Sequence, residues 1–381
     1  MATENRRGAQ SVRRGKAMTW LSRVFELNPP GLNWPRAVAF LDAALVLLFV
    51  FWAIGNEVYL LSALFGLLLA ALADPGGSYG HRVLSIALFA LIGAGVTALA
   101  FGVGSMAWGW LVLVAFVVTL AAGLAAAYGV RRFVNALLLN IWFIIAVGFE
   151  VSIHDQGHIT SYVWAQVLSW TGGAALWITV TFLWWLIRGR TDRGQPFSEL
   201  PGDTSRRRLT RPLVLFAVIR AVVIAGTFAL AFGLDLSYGS WIPIAAMIAM
   251  KPSLEQAALA SAQRLAGALI GAVVAALLLW VPASEHGLKL FAVHRGLEMV
   301  ALVLLMHGAA IRFWNYTLYS AAIAAGALIL VDLPQPSDNA AEGYRVLWTL
   351  CGVGISLIVM LLAGLLAKRT TKTQGKPTRS R

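Results

Sequence analysis

An all-α polytopic membrane helix bundle is the fold class this sequence predicts, with about 12 transmembrane helices set out as two parallel six-helix repeats. Three observations predict it. The chain of 381 residues is 59% hydrophobic and 12% charged, with a mean hydropathy of +0.75, whereas a water-soluble domain carries about 45–50% apolar and roughly 25% charged residues. Apolar runs approaching the ~20 residues needed for one helical crossing recur along the chain. Lys and Arg gather in a few segments, as the retention of positive loops in the cytoplasm requires.

The runs fall at 36–54, 58–73, 83–103, 108–128, 133–150 and 162–187, then at 212–233, 240–250, 264–281, 290–310, 314–331 and 344–367. Around them lie an N-terminal tail (1–35), a linker (188–211) and a C-terminal tail (368–381), which together with the repeats 36–187 and 212–367 give the expected domain organisation. About thirty-five mostly polar residues precede the first run, unlike a secretory signal with its short leading segment, so the N-terminus is expected inside. Each crossing then switches sides. With twelve crossings, every Lys and Arg except Arg220, Lys289, Arg295 and Arg345 falls on the inner side or in an inner tail. Glu57, Glu150, Asp155, Asp235, Glu285, Asp332, Asp338 and Glu342 fall outside. Treating 58–73 as re-entrant would put the basic linker outside, against the rule. Both termini are therefore expected in the cytoplasm.

The net charge of +13 is accounted for by these inner loops, and a nucleic-acid partner is not expected. The single cysteine, Cys351, lies in an apolar run and rules out a disulfide framework or a cysteine zinc site.

The halves read as one sequence written twice. Ala90–Ala100 is ALIGAGVTALA and Ala268–Leu278 is ALIGAVVAALL, an offset of 178 residues. QVLSWTGGAALWITV from Gln166 answers RVLWTLCGVGISLIV from Arg345, an offset of 179. Each half has an even number of runs, so the copies share an orientation. The linker, rich in Arg, Gly and Pro, suits a boundary.

Leu67–Leu88 (LLLAALADPGGSYGHRVLSIAL) and Ile219–Ala272 carry a resemblance to the fusaric-acid-resistance, or FUSC-like, family. Its carriers are the Asp74–Gly77 turn, the Arg-bearing seventh run, Tyr238–Trp241 and the Gln263-Arg264-x-x-Gly267 stretch. The resemblance implies an integral inner-membrane protein that exports aromatic carboxylic acids or related organic anions. One departure is the linker, about two dozen residues where larger family members place a sizeable cytoplasmic domain.

A charge at the bilayer centre is costly and tends to be kept for a reason. Arg220 lies deep in its run, and a guanidinium fork suits a carboxylate; Glu298 is similarly deep, and a membrane carboxylate can carry a proton. The expectation is that Arg220 binds an anionic substrate while Glu298 or Asp42 responds to protons. The competing reading makes Arg220 a structural ion pair, or a side chain reaching back to the interface. Trp241 opens a short run that contains Pro243 and is followed by Pro252, and its counterpart 58–73 ends at Pro75. Short, Pro-interrupted segments at matching places in two repeats point to a binding region, so broken helices are expected there. Trp241 is a candidate to stack on an aromatic substrate. Most of the 15 tryptophans read as interface anchors, among them Trp108, Trp110, Trp280 and Trp314.

His294 and Arg295 share a helix face with Glu298, as either a proton path or a local ion cluster. His307 lies near an inner end and reads as solvated. His154, Asp155 and His158 have no further ligand in view, and no metal is expected. Asn135 and Asn140 read as interhelical hydrogen-bonders, and Gly267 with Gly271 as close helix packing. The sequence has no phosphate-binding loop, HExxH or CxxC. An enzyme is not expected and no cofactor is implied. A proton-coupled secondary transporter leads, followed by a passive anion channel or uniporter, and then a non-transporting scaffold whose basic tails recruit lipid or a partner. Membrane lipid and a small organic anion are the expected partners, and homo-oligomerisation stays open.

Overall fold

The computed structural model describes residues 25, 27, 34–156, 161–187, 189, 209–250, 254–283, 288–312, 314–332 and 340–374. Among these are twelve α-helices: α1 Trp34–Ile54, α2 Leu60–Ala73, α3 Tyr79–Gly104, α4 Trp108–Leu124, α5 Val130–Gln156, α6 Val163–Ile187, α7 Arg211–Gly233, α8 Trp241–Ala249, α9 Leu254–Ala283, α10 Leu288–Ile311, α11 Tyr316–Asp332 and α12 Ala340–Gln374. Each predicted run has its helix. Most of the N-terminal tail, nearly all of the linker and residues 375–381 lie outside the described residues, while α12 runs on into the expected C-terminal tail as far as Gln374.

Eight of the described helices are long and apolar enough to cross a membrane: α1, α3, α4 with the 3₁₀ turn that follows it, α5, α6, α7, α9 and α12. The chain is a multi-pass membrane protein with an all-α bundle. Its long helices carry exposed apolar faces, such as Leu84, Leu88 and Leu91 on α3 or Leu361, Leu362 and Leu365 on α12, as helices against lipid must.

The chain forms two compact units, residues 38–254 with 343–381 and residues 1–37 with 255–342. At the heart of the larger unit, α2 is buried all round except at Leu61, Phe65 and Leu72, which are half-buried. A helix that is apolar on every face belongs inside. It packs on α6, α3 and α5, while α4 runs along α7. Phe65, Trp142 and Trp170 stack at ring separations of 5.0 and 5.1 Å. The indole of Trp142 donates to Thr97 Oγ1 at 2.8 Å and that of Trp170 to Ala90 O at 3.2 Å, so the buried N–H groups are satisfied.

Helix α8 is equally enclosed, with only Trp241 and Ile248 half-buried. Its nine residues rise about 14 Å at 1.5 Å per residue, under half of a ~30 Å hydrocarbon core. The segment expected to cross at 240–250 therefore does not do so as a helix alone. The chain leaves the helix at Met250, with ψ 106°; the expected break at Pro252 lies outside the described residues.

The two short helices are gripped in the same way. A Cβ at Gly173 of α6 would collide with Ala63 O of α2 and stand 2.8 Å from Leu67 N. A Cβ at Gly352 of α12 would collide with Ile242 O of α8 and stand 3.0 Å from Ala246 N. All three positions in the second set lie 179 residues after their counterparts in the first.

In the smaller unit α10 packs along α11. Gly267 and Gly271 of α9 meet α11 at Ser320 and Ala324, where a Cβ would lie 2.6 and 2.5 Å from the partner's Cβ. The pair packs helices, as its spacing indicates. Helix α9 starts ten residues before the predicted run, so Arg264, expected at the inner end of that run, is a buried residue well inside the helix.

Candidate functional site

Apolar residues make α7 a spanning helix, and Arg220 is its single charge beyond Arg211. Arg220 lies nine residues after the helix start, about 14 Å along the axis, and is 2% exposed. The guanidinium does not reach back to an interface, and no carboxylate pairs with it among the described residues. Its Nη2 donates 3.1 Å to Met247 O and lies 2.8 Å from Met247 Sδ. The Phe133 ring of α5 sits 5.4 Å from Cζ, within cation–π range.

The end of α8 dictates this arrangement. The last carbonyls of a helix have no intrahelical partner and form the negative end of its dipole. Met247 O takes Arg220, while Ala246 O, which already accepts from Met250 N, also takes Ser356 Oγ of α12 at 3.1 Å. Beside them Asn140 of α5 donates to Thr119 Oγ1 of α4 at 3.1 Å and to Met247 Sδ at 3.6 Å. Helices α5 and α7 thus meet α8 at Met247, with α12 bonded one residue earlier at Ala246 and α4 joined through Asn140. Asn140 does bond across helices, as expected. Arg220 keeps spare capacity: its buried Nε has no acceptor, and a guanidinium offers five N–H donors.

The other sequence candidates are placed differently. Trp241 is half-buried against the core of the larger unit, six residues before Met247. That is about 9 Å along α8 and on another face at 3.6 residues per turn, so the two side chains leave the helix in different directions. Asp42 is exposed midway along α1. Glu298, in the smaller unit, is bridged to Arg295 at 3.1 Å, the local ion cluster that the spacing allowed. His307 is exposed, with Nδ1 2.8 Å from Val303 O and its ring edge-on to Trp34 at 5.4 Å. The side chains of His154, Asp155, His158 and His294 lie outside the described residues.

A second charged cluster was not anticipated. Asp74, with its side chain 1% exposed, ends α2. Oδ1 accepts from Gly76 N and Arg82 Nε, each at 3.0 Å; Oδ2 accepts from Arg82 Nη2 at 2.6 Å and from Trp177 Nε1 at 3.2 Å. Gly76 and Gly77, at φ 67° and 85°, turn the chain back through a region closed to most side chains. The signal was in plain sight as a turn motif followed eight residues later by an arginine at a helix start.

Residues 223–359 match the family described as Fusaric acid resistance protein-like. That stretch is similar to the FUSC-like family. The FUSC-like region takes in Trp241, Met247, Arg264 and Glu298, and begins three residues after Arg220. No curated protein and no solved structure matches the chain.

Proposed function

We propose that this FUSC-like membrane protein is a secondary transporter that exports aromatic carboxylic acids or related organic anions, driven by the proton gradient. The observation that carries the reading is Arg220, buried within a spanning helix, without a carboxylate partner among the described residues and with an unused Nε. Leaving such a charge uncompensated is costly unless something completes it. A carboxylate suits the fork geometry of the free edge, and the Phe133 and Met247 surfaces suit an aromatic body. In this reading Met247 O holds the guanidinium in place and Glu298 or Asp42 takes the coupling proton, while Trp241, on another face of α8, stands apart from the Arg220 edge. Protonation of Glu298 would release Arg295 from its bridge.

The recurrence of the Gly173–Ala63 contact as Gly352–Ile242 supports a parallel duplication of six helices, with 36–187 and 212–367 as its halves. In the proposed topology the protein lies in the inner membrane with both tails cytoplasmic. A second reading has one specific observation behind it: the bond to Met247 O lets Arg220 serve as a clamp on the end of α8.

Flux of labelled 4-hydroxybenzoate into proteoliposomes separates these readings, with protein-free vesicles correcting for leak of the neutral acid. An imposed pH gradient should drive accumulation by the wild type, Arg220→Gln should abolish it, and Glu298→Gln should leave exchange without gradient-driven accumulation. Equilibration that ignores the gradient would indicate a passive pathway. Wild-type flux equal to leak, or Arg220→Gln flux equal to wild type, would refute the proposal.

A further inference from the structure

Both asparagines of α5 are expected to bond across helices, and only Asn140 does so, to Thr119 Oγ1. The side chain of Asn135 is half-buried and makes no hydrogen bond among the described residues. Arg132 lies three residues earlier on the same face of the helix. It is exposed, and no carboxylate is bonded to it among the described residues. Its guanidinium lies over the Tyr128 ring, with Cζ 5.8 Å from the centroid, and Tyr128 is itself 46% exposed.

The corner between α4 and α5 brings these three residues together. Gly129 follows the 3₁₀ turn Ala125–Tyr128 at φ 105°, a conformation closed to most side chains. Its carbonyl accepts from Phe133 N at 3.1 Å, which opens α5. Arg132 and Asn135 therefore sit in the first two turns of a helix whose N-terminus carries the positive end of its dipole. The corner is also held close to α7, because Gly123 of α4 has no Cβ and one would lie 2.8 Å from the Cβ of Ala217, three residues before Arg220. Asp74 attracts Arg131, but its two oxygens are already bonded to Gly76, Arg82 and Trp177.

Arg132 and Phe133 are consecutive, and each belongs to a guanidinium–ring pair. The pair of Arg132 and Tyr128 is exposed, whereas that of Arg220 and Phe133, at 5.4 Å, is buried. A guanidinium fork suits a carboxylate and the neighbouring ring suits an aromatic body. At the exposed pair the Asn135 amide adds two N–H donors. A lipid phosphate would use the guanidinium and the amide but would leave the ring without a role.

We propose that Tyr128, Arg132 and Asn135 form a capture site for an aromatic carboxylate, one step before the buried Arg220. The inference rests on the transport reading, in whose topology this corner opens on the cytoplasmic side, where an exported anion enters. The exposed cation draws the anion from solution, and the buried one takes it out of water.

The test dialyses purified full-length protein in detergent to equilibrium against labelled 4-hydroxybenzoate. Arg220→Gln removes the buried pair and should still bind one equivalent at the corner. Adding Arg132→Gln should weaken that binding by about tenfold or more, and adding Asn135→Leu by a smaller factor. Arg131→Gln in its place removes an equal charge one residue away and should change affinity less than about twofold. Labelled acetate, which has no ring, should bind about tenfold or more weakly than 4-hydroxybenzoate. If Arg220→Gln does not fold, wild type and Arg132→Gln are compared in the same dialysis, and the variant should lose one of two equivalents. Binding that survives Arg132→Gln, an equal loss with Arg131→Gln, or acetate held as tightly as 4-hydroxybenzoate overturns the site. In proteoliposomes, Arg132→Gln should raise the half-saturating concentration and keep the maximal rate. Wild-type flux equal to leak beside Arg132-dependent binding would end the transport reading and leave the site standing. Unchanged half-saturation in Arg132→Gln would end the capture role and leave the transport reading standing.

Discussion

The two short helices α2 and α8 end against buried charges that are satisfied in opposite ways. At the end of α2, Asp74 accepts four hydrogen bonds, two of them from Arg82, and all its lone-pair directions are engaged from α3, α6 and its own turn. At the end of α8, Arg220 spends one nitrogen on Met247 and keeps a buried Nε idle. The first is a saturated network, which locks three elements together and has nothing left to offer a ligand. The second is unsaturated in a place where water cannot make up the difference. Equal burial and opposite completeness separate a structural charge from a candidate binding charge better than depth in the membrane does.

The largest effect should come from breaking the saturated end. Asp74→Ala strands Arg82 and the Trp177 N–H, and removing one partner of a buried pair costs about 3–5 kcal/mol; denaturant unfolding in detergent would measure it. An unchanged midpoint would mean that the Asp74 network holds nothing together. Next come the glycine grips that the two short helices share. Gly173→Ala and Gly352→Ala each push a methyl into a facing backbone carbonyl, an overpacking cost of about 1–3 kcal/mol, and similar losses at both are expected if the grips are equivalent. Gly172→Ala next door is the control, because nothing lies within 4 Å of its Cβ, so the helix should gain up to about 1 kcal/mol. A marked inequality between the two grips would weaken the duplication reading. The smallest effect should be that of Asn140→Leu beside Arg220: interhelical hydrogen bonds in membranes average about 0.6 kcal/mol. A loss of several kcal/mol would show the Met247 junction to be as tightly interlocked as the Asp74 end.

Element positions were legible because a bilayer imposes length and apolarity on every crossing, and all twelve runs have helices at their places. The start of α9 was not. Leu254–Gln263 (LEQAALASAQ) mixes polar residues into strong helix formers, so helix propensity carries the element on where hydropathy fades, and Arg264 moves from the end of a run into a buried interface. Arg220 was legible from its depth, but its partner was not, since a methionine carbonyl at a helix end carries no mark in the sequence. Trp241 looked like a neighbour of the site because it opens the same short helix, yet the helical turn sends it elsewhere. Asp74 escaped notice because its four donors come from three elements, and only folding brings Trp177 to a turn 103 residues away.

The most direct test of Arg220 as a carboxylate-binding group is the initial rate of 4-hydroxybenzoate flux for Arg220→Lys at matched reconstituted protein, read beside its unfolding midpoint. Lysine keeps the charge and can still donate to Met247 O, but it lacks the fork. A midpoint close to wild type with flux reduced about tenfold or more is the expected result. Full flux in Arg220→Lys, or flux that falls only in step with stability, would reduce Arg220 to a clamp on α8.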